Sequence, residues 1–262
     1  MATISLCMIV KNESAVLSRC LDSIADLMDE IIIVDTGSTD NTKEIAAQYT
    51  SRIYDFKWTS DFSAARNFSF SKATMEYIYT ADADEILDDA NRERFLRLKG
   101  ALLPEIEIVQ MKYVTQGTFD TVLNAKKEYR PKLFRRLRTF TWIDPIHETV
   151  RLTPVTFDSD VEILHCPQSL HSKRDFSIFI KAFEHDGQFS PKIRTMYAKE
   201  LLKTGDKKDF TDAKPIFQLI FDNDPADDAR KEAACVLARI YRMEDNKNEF
   251  FKLTMKDMLT TP

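Results

Sequence analysis

The stretch EIIIVDTGSTDNTKEIAAQY, residues 30–49, changes character halfway along. Its first half is a continuous, β-branched apolar run that ends on Asp35, the pattern of a strand buried on both faces. Its second half, from STDNT onward, opens a helix with Thr39, Asp40 or Asn41 as cap. The same alternation continues to either side. TISLCMIV (3–10) reads as a strand. Val16, Leu17, Cys20, Leu21 and Ile24 then mark one helix face, with Ser14 as N-cap. RIYDF (52–56) is a third strand, DFSAARNFSFSKA (61–73) a helix and YIYTAD (77–82) a fourth strand. Strand and helix alternating in units of roughly 25–30 residues predict an α/β fold with a parallel sheet covered on both faces.

Beyond residue 105 the pattern shifts. IEIVQMKYV, KLFRRL, TFTWI, ETVRL and VEILH are short apolar runs with polar breaks, expected to form mixed or antiparallel strands through residue 165. From about residue 172 the apolar residues fall at helical spacing. Tyr197-Ala198 with Leu201 is echoed some forty residues later by Leu237-Ala238 with Tyr241, which fits stacked helical hairpins of the tetratricopeptide kind and equally an ordinary helical bundle. Phe176, Phe179 and Phe183, at helical spacing, read as core. The expected organisation is a domain over 1–170, with halves at 1–100 and 101–170, followed by a helical region over 171–262.

The composition excludes several classes. Lys and Arg number 37 against 42 Asp and Glu, a net charge of −5, without the basic face of a nucleic-acid binder. No apolar run reaches the ~18–20 residues of a membrane span. MATISLCMIVKNE lacks the basic start of a signal peptide, so a cytoplasmic location is expected. The scattered Cys7, Cys20, Cys166 and Cys235 read as buried, reduced thiols. Only 5 glycines are present and no GxGxxG fingerprint occurs.

Ligands of open α/β sheets bind at the carboxyl ends of the strands. Glu13 follows the first strand here, Asp35 ends the second, and Asp82 and Asp84 end the fourth, with Arg66 and Asn67 in the helix before it. Asp82, Asp84 and Glu85 crowd three like charges into four residues. Repulsion at that spacing calls for a positive partner. A hard cation, Mn²⁺ or Mg²⁺, shared between the carboxylates and a substrate diphosphate supplies one. Asp35 could accept from a base N–H, and Arg66 could hold a phosphate or the base. Glu85 is expected to face away as a helix-start or salt-bridging residue.

Together, ISLCMIVKNE, EIIIVDTGSTDNT, DFSAARNFS and TADADE resemble the nucleotide-binding half of family 2 glycosyltransferases of the GT-A fold. RPKLFRRLRTFTWIDPIHETV (130–150) and EILH (162–165) resemble later motifs of a bacterial subgroup that carries a tetratricopeptide-like tail and includes peptide S-glycosyltransferases of glycosylated bacteriocins. Where that subgroup has an aromatic-Leu pair before its DxD, Tyr79, Thr80 and Ala81 stand here. The resemblance implies an inverting transfer from a nucleotide sugar, a UDP-sugar above all, to a peptide, protein or saccharide acceptor. Asp35 would contact the base, and Arg66 the base or a phosphate. Asp82 would reach the ribose or a metal-bound water, Asp84 the metal, and Glu13 would lie near the nucleoside. His165 would be a further metal ligand, favouring Mn²⁺, against the plainer reading of a strand-end histidine packed under a helix.

An inverting transfer needs a general base. IDPIHETV offers Glu148 as the favoured candidate, His147 as an acceptor-side contact or metal neighbour, and Asp144 as a lesser candidate; Glu148 paired with Arg135 or Arg136 is the structural alternative. Those arginines, with Arg130 and Lys132, could instead bind the diphosphate or an acidic acceptor. Trp142 could stack on a sugar or anchor the fold. The helical tail would shape acceptor binding or a homodimer. Two rival readings are a nucleotidyltransferase, which would want a Gly-rich basic loop where VKNESAV stands, and a non-catalytic helical scaffold with a relic transferase domain.

Overall fold

The computed structural model describes residues 1–115, 127–136, 142–143, 145–146, 149–150, 155–166 and 172–259. The chain divides into two compact units, Met1–Ile143 with Glu148–Ser169, and Asp144–His147 with Leu170–Pro262.

The first unit begins with β1 (Ile4–Val10), α1 (Leu17–Ile24), β2 (Glu30–Asp35), α2 (Thr42–Ala46), β3 (Ile53–Asp55), α3 (Phe62–Lys72) and β4 (Tyr77–Thr80). It continues with β5 (Glu85–Ile86), α4 (Asp89–Ala101), β6 (Ile108–Thr115), β7 (Lys127–Arg135), β8 (Trp142–Ile143), β9 (Thr149–Val150) and β10 (Thr156–His165). One sheet has the order β3-β2-β1-β4-β7-β6-β10-β5, and β8 pairs with β9 alone. The β3-β2-β1-β4 half is parallel, as the repeating strand-helix pattern predicts. Strand β7 then runs antiparallel to both β4 and β6, β10 parallel to β6, and β5 antiparallel to β10. The result is a mixed sheet flanked by helices.

Central strand β1 explains the unbroken apolar run. Leu6 and Met8 pack on one face with Leu17, Leu21 and Ile24 of α1 and Phe95 of α4. Cys7 packs on the other with Ile32, Val34 and Ile78, against Phe68 and Phe70 of α3. Both faces are dry, so alternation disappears. Asp61 caps α3 by accepting from the Ala64 N–H at 3.1 Å, and Asp88 caps α4 through the Asn91 N–H at 2.9 Å. The expected Ser14 cap is not formed. Helix α1 starts at Leu17 after Val16, and the Ser14 N–H donates instead to Asp40 Oδ2 at 3.2 Å.

The second unit contains α5 (Ser172–Asp186), α6 (Pro191–Thr204), α7 (Lys207–Asn223), α8 (Asp227–Met243) and α9 (Lys247–Leu259). Helix α5 packs on α6 and α7 on α8, the two pairs meet through α5 on α7 and α6 on α8, and α9 follows on α8. That pairing is how helical hairpins stack. The sequence echo falls on this seam: Tyr197 and Leu201 of α6 and Leu237 and Tyr241 of α8 are all buried. Phe179 stacks on Tyr197 with centroids 4.7 Å apart, as core. Arg194, buried in α6, donates to Glu232 of α8 at 2.9 Å. A Cβ at Gly205 would lie 2.6 Å from the Leu201 carbonyl oxygen, which accounts for glycine after α6. No helix among the described residues is long and apolar enough to cross a membrane.

Leu6 is fully buried at the centre of the sheet. Leu6→Ala is expected to lower the unfolding free energy by about 3 kcal/mol, through lost transfer energy and a residual cavity, read from the midpoint of denaturant unfolding at unchanged slope.

Candidate active site

The loops after β1 and β2 are sewn together at the carboxyl rim of the sheet. Asn12, in a left-handed conformation with φ of 56°, accepts from the Thr39 N–H at 2.7 Å through Oδ1, and its own N–H donates to Ser38 Oγ at 2.9 Å. The Glu13 N–H donates to Thr42 Oγ1 at 2.8 Å. Asp40 accepts from the Thr42 N–H and hydroxyl and from the Ser14 N–H, so it ties the two loops together; Asn41, with no side-chain bond, holds the N-cap position of α2. Burial raises the Asp40 pKa, but the hydrogen bonds from Thr42 and Ser14 outweigh it and bring it from 3.8 to about 2.

Asp35 is fully buried at the end of β2. Its Oδ1 accepts from the Gly37 and Ser38 N–H groups, each at 2.9 Å, a turn that needs Gly37 at φ of 102°. Its Oδ2 is buried with no hydrogen-bond partner among the described residues. A buried acceptor in that state costs about 1–3 kcal/mol and calls for an explanation such as a ligand donor. Glu13 and Asp35 thus come to the same rim, because β1 and β2 are parallel neighbours with Val10 opposite Asp35.

The acids after β4 occupy a turn with three different fates. Ala81 and Ala83 are buried, which directs Asp82 outward and leaves it exposed. Desolvation opposes ionisation of Asp82, but Lys132, then Arg66, Arg130 and His165, overcome it and hold the carboxyl below its ordinary range. Asp84 Oδ2 lies 3.0 Å from His165 Nε2. Glu85 is the salt-bridging residue the sequence suggests: it turns into the interior, is 2% exposed and touches the buried Lys132 ammonium through Oε1. Burial raises the Glu85 pKa; Lys132 pulls it down and Asp82 pushes it up, with a net rise. Antiparallel pairing of β10 with β5 sets His165 opposite Glu85, which explains how a residue 81 positions from Asp84 meets it.

Strand β7 separates the basic residues. Arg130 and Lys132 reach the rim, and the Arg130 guanidinium lies 3.6 Å from the Tyr113 ring centroid. The His165 ring contacts the same tyrosine, with centroids 4.9 Å apart. Arg135 lies opposite Tyr77, the first residue of β4, and the Arg136 Nε–H donates to the Met75 carbonyl. Both are therefore at the other end of the sheet from the acids, which removes them as diphosphate ligands.

Arg66 sits 4.9 Å from the Trp142 ring centroid, and Asn67 clasps the Trp142 main chain, donating to its carbonyl at 3.1 Å and accepting from its N–H at 2.9 Å. Trp142 is 6% exposed and packs on Phe70 and Phe134, so it is an anchor rather than a sugar platform. The candidates Asp144, His147 and Glu148 lie outside the described residues.

Sequence reasoning missed Lys132 as the partner of Glu85, and it missed Tyr113 and the Asn67 clasp. A lysine directly before the apolar pair Leu133-Phe134 of β7 was the available signal for the first, since buried lysines are rare unless paired. Among the described residues no group of three His, Cys, Asp or Glu side chains surrounds one point as a metal site. Asp84 with His165, beside Asp82, is an oxygen-and-nitrogen half-site that suits a divalent cation whose other ligands come from a substrate.

A parallel α/β half with acids and an orphaned carboxylate oxygen on its carboxyl rim is the class of α/β protein that binds its ligand at that rim. The sequence model of glycosyl transferase family 2 matches residues 5–153, and the chain belongs to that family. It is 33% identical over 132 residues to the SPbeta prophage-derived glycosyltransferase SunS of Bacillus subtilis, covering 49% of this chain and 31% of the relative. It is 48% identical over 87 residues to a TPR repeat-containing protein of Synechococcus elongatus, covering 33% and 22%. The match thus spans less than a third of the length of these relatives. The fold is shared with crystalline glucosyl-3-phosphoglycerate synthase from Mycobacterium tuberculosis in complex with Mn²⁺, UDP-glucose and phosphoglyceric acid. The TM-score is 0.52 at 19% identity, over 72% of this chain and 82% of that one.

The depressed Asp40 pKa has a signed consequence. Because the folded value lies below the unfolded one, the stability it contributes is present above pH ~4 and is lost as pH falls through about 2. The stability difference between wild type and Asp40→Asn should therefore be largest above pH 4 and shrink towards pH 2, measured by urea unfolding at each pH.

Proposed function

We propose that the chain is an inverting glycosyltransferase that moves a sugar from a UDP-sugar to a peptide, protein or saccharide acceptor. The observation that carries this reading is the turn after β4, where Asp82 opens to solvent and Asp84 meets His165 on the rim that also holds Asp35. The orphaned Asp35 Oδ2 is suited to an N–H donor such as uracil N3–H. Arg66 and Arg130, whose charges act on Asp82, are assigned to the diphosphate; Arg130 also pairs with Glu128, as Lys132 does with Glu85. The mycobacterial synthase that shares the fold was solved with UDP-glucose and Mn²⁺, which is in keeping with this donor.

Asp82, Asp84 and His165 would hold Mn²⁺ or Mg²⁺. Such a cation, when bound, supplies Lewis-acid neutralisation of the diphosphate. The chain's own groups do the rest. Asp35 and Arg66 fix base and phosphate, and Glu13 lies beside the nucleoside. Glu148 takes the acceptor proton as the acceptor atom attacks the anomeric carbon and the bond to the diphosphate oxygen breaks, inverting that carbon. His147 is assigned to the acceptor side, and Asp144 is the alternative base.

Calorimetry of UDP with Mn²⁺ against ATP with Mg²⁺ tests the donor class. Binding of UDP alone supports the reading, preference for ATP points to nucleotidyl transfer, and no metal-dependent binding of either leaves a scaffold. Asp84→Ala should abolish Mn²⁺-dependent UDP binding at an unchanged circular dichroism spectrum; retained binding overturns the metal assignment. Glu148→Gln should cut kcat by 10²-fold or more, roughly the size of a lost general base, while UDP affinity stays within about threefold. Near-normal turnover would exclude Glu148.

A further inference from the structure

We propose that Glu85 and Lys132 are a positioning pair that sets the geometry of the rim acids, resting on the donor reading above. Glu85 is a hub with three attachments. Its Oε2 accepts from the Asp82 N–H at 3.2 Å, and its own N–H donates to the Asp82 carbonyl at 3.1 Å, closing the turn from both ends. Its main chain lies opposite His165 in the β5–β10 ladder. Its Oε1 contacts Lys132 of β7, the strand that pairs with β4 through Leu133 and Tyr79. One buried side chain therefore ties Asp82, by hydrogen bond, to the strand register that delivers His165 to Asp84.

Lys132 has the complementary task. Glu85 is 2% exposed and Lys132 6%, so neither charge has much water. An unpaired carboxylate there would add a third negative group behind Asp82 and Asp84, and breaking a buried pair by removing one partner is strongly unfavourable. With Lys132 in place, the floor of the turn is neutral and only the outward-facing acids present charge to a ligand. The Cys20 thiol, 3.5 Å from the Asp82 carbonyl, packs beneath the same turn. Glu85 and Lys132 are positioning residues, with no contact to substrate assigned to either.

Two charge-neutral double variants separate positioning from stability. In Glu85→Gln/Lys132→Met the glutamine carbonyl can still accept the Asp82 N–H; in Glu85→Ala/Lys132→Met nothing can. The first should bind UDP with Mn²⁺ within about threefold of wild type, and the second about tenfold more weakly, both measured by calorimetry well below their melting temperatures. Amide exchange of residues 81–84 should speed up about tenfold in the alanine variant and stay slow in the glutamine one. Lys132→Met alone should bind worse than the glutamine double, since restoring neutrality rescues it. Equal affinity and equal exchange in the two doubles would overturn the proposal, as would an affinity loss that only follows the melting temperature. If wild type binds no UDP, the donor reading falls, and amide exchange alone decides the pair: faster exchange in the alanine double upholds it and equal exchange overturns it.

Discussion

Three carboxylates within four residues are the constraint around which this site is built. Two unit charges 4 Å apart repel by about 4 kcal/mol at the effective dielectric of a protein surface, so the turn after β4 is tolerable only if its acids are separated in direction or compensated. Both occur. Alanines 81 and 83 point inward and turn Asp82 out to solvent. Asp84 finds the His165 imidazole. Glu85 goes into the interior and meets the Lys132 ammonium. Lys132, Arg66, Arg130 and His165 together hold the Asp82 carboxyl below its ordinary range despite the desolvation that opposes its charge. The protein therefore supplies part of the compensation itself, and a cation need not neutralise all three acids.

The mixed sheet makes that arrangement possible. Parallel strands β1, β2 and β4 bring their following loops to one rim, but a purely parallel sheet brings nothing else there. Strand β7, inserted antiparallel beside β4, presents its early residues to that rim and its late ones to the other. Arg130 and Lys132 consequently join the acids, while Arg135 and Arg136, a few residues on, stay at the far end. Strand β10 arrives parallel to β6, and its last residue, His165, pairs across to Glu85. Arg130, Lys132 and His165 are thus placed by strand direction and register, which are rigid, rather than by the loops alone.

This division also explains what could be read in the chain. Strands β1 to β4 and helices α1 and α3 were legible because dry, two-faced strands and amphipathic helices leave periodic signatures, and Asp35, Asp82 and Asp84 could be placed at strand ends from those signatures. The Glu85–Lys132 contact was not legible, because it joins residues 47 apart through a ladder whose register no local pattern encodes. The Ser14 cap failed for a similar reason: Asp40, brought in from the neighbouring loop, competes for the Ser14 main chain. His165 was expected on the site by resemblance, and its meeting with Asp84 depends on the β5–β10 pairing. The tail's stacked pairing was faintly visible in the Tyr197 and Leu237 echo, since both residues are buried and their helices, α6 and α8, pack on one another.

Under the proposed donor reading, Asp35 would supply a physical basis for choosing a base. Its Oδ1 is locked by the Gly37 and Ser38 N–H groups, so the direction of Oδ2 is fixed before any ligand arrives. A rigid buried acceptor discriminates by what a wrong partner fails to supply. A base presenting an N–H there removes an unmet acceptor that costs about 1–3 kcal/mol. A base presenting a lone pair at the same point keeps that cost and adds a second unmet acceptor of its own. The difference is realised only because Oδ2 has no alternative donor among the described residues. Preorganisation of the carboxylate, which is unfavourable in the empty protein, is therefore what would make the base contact selective.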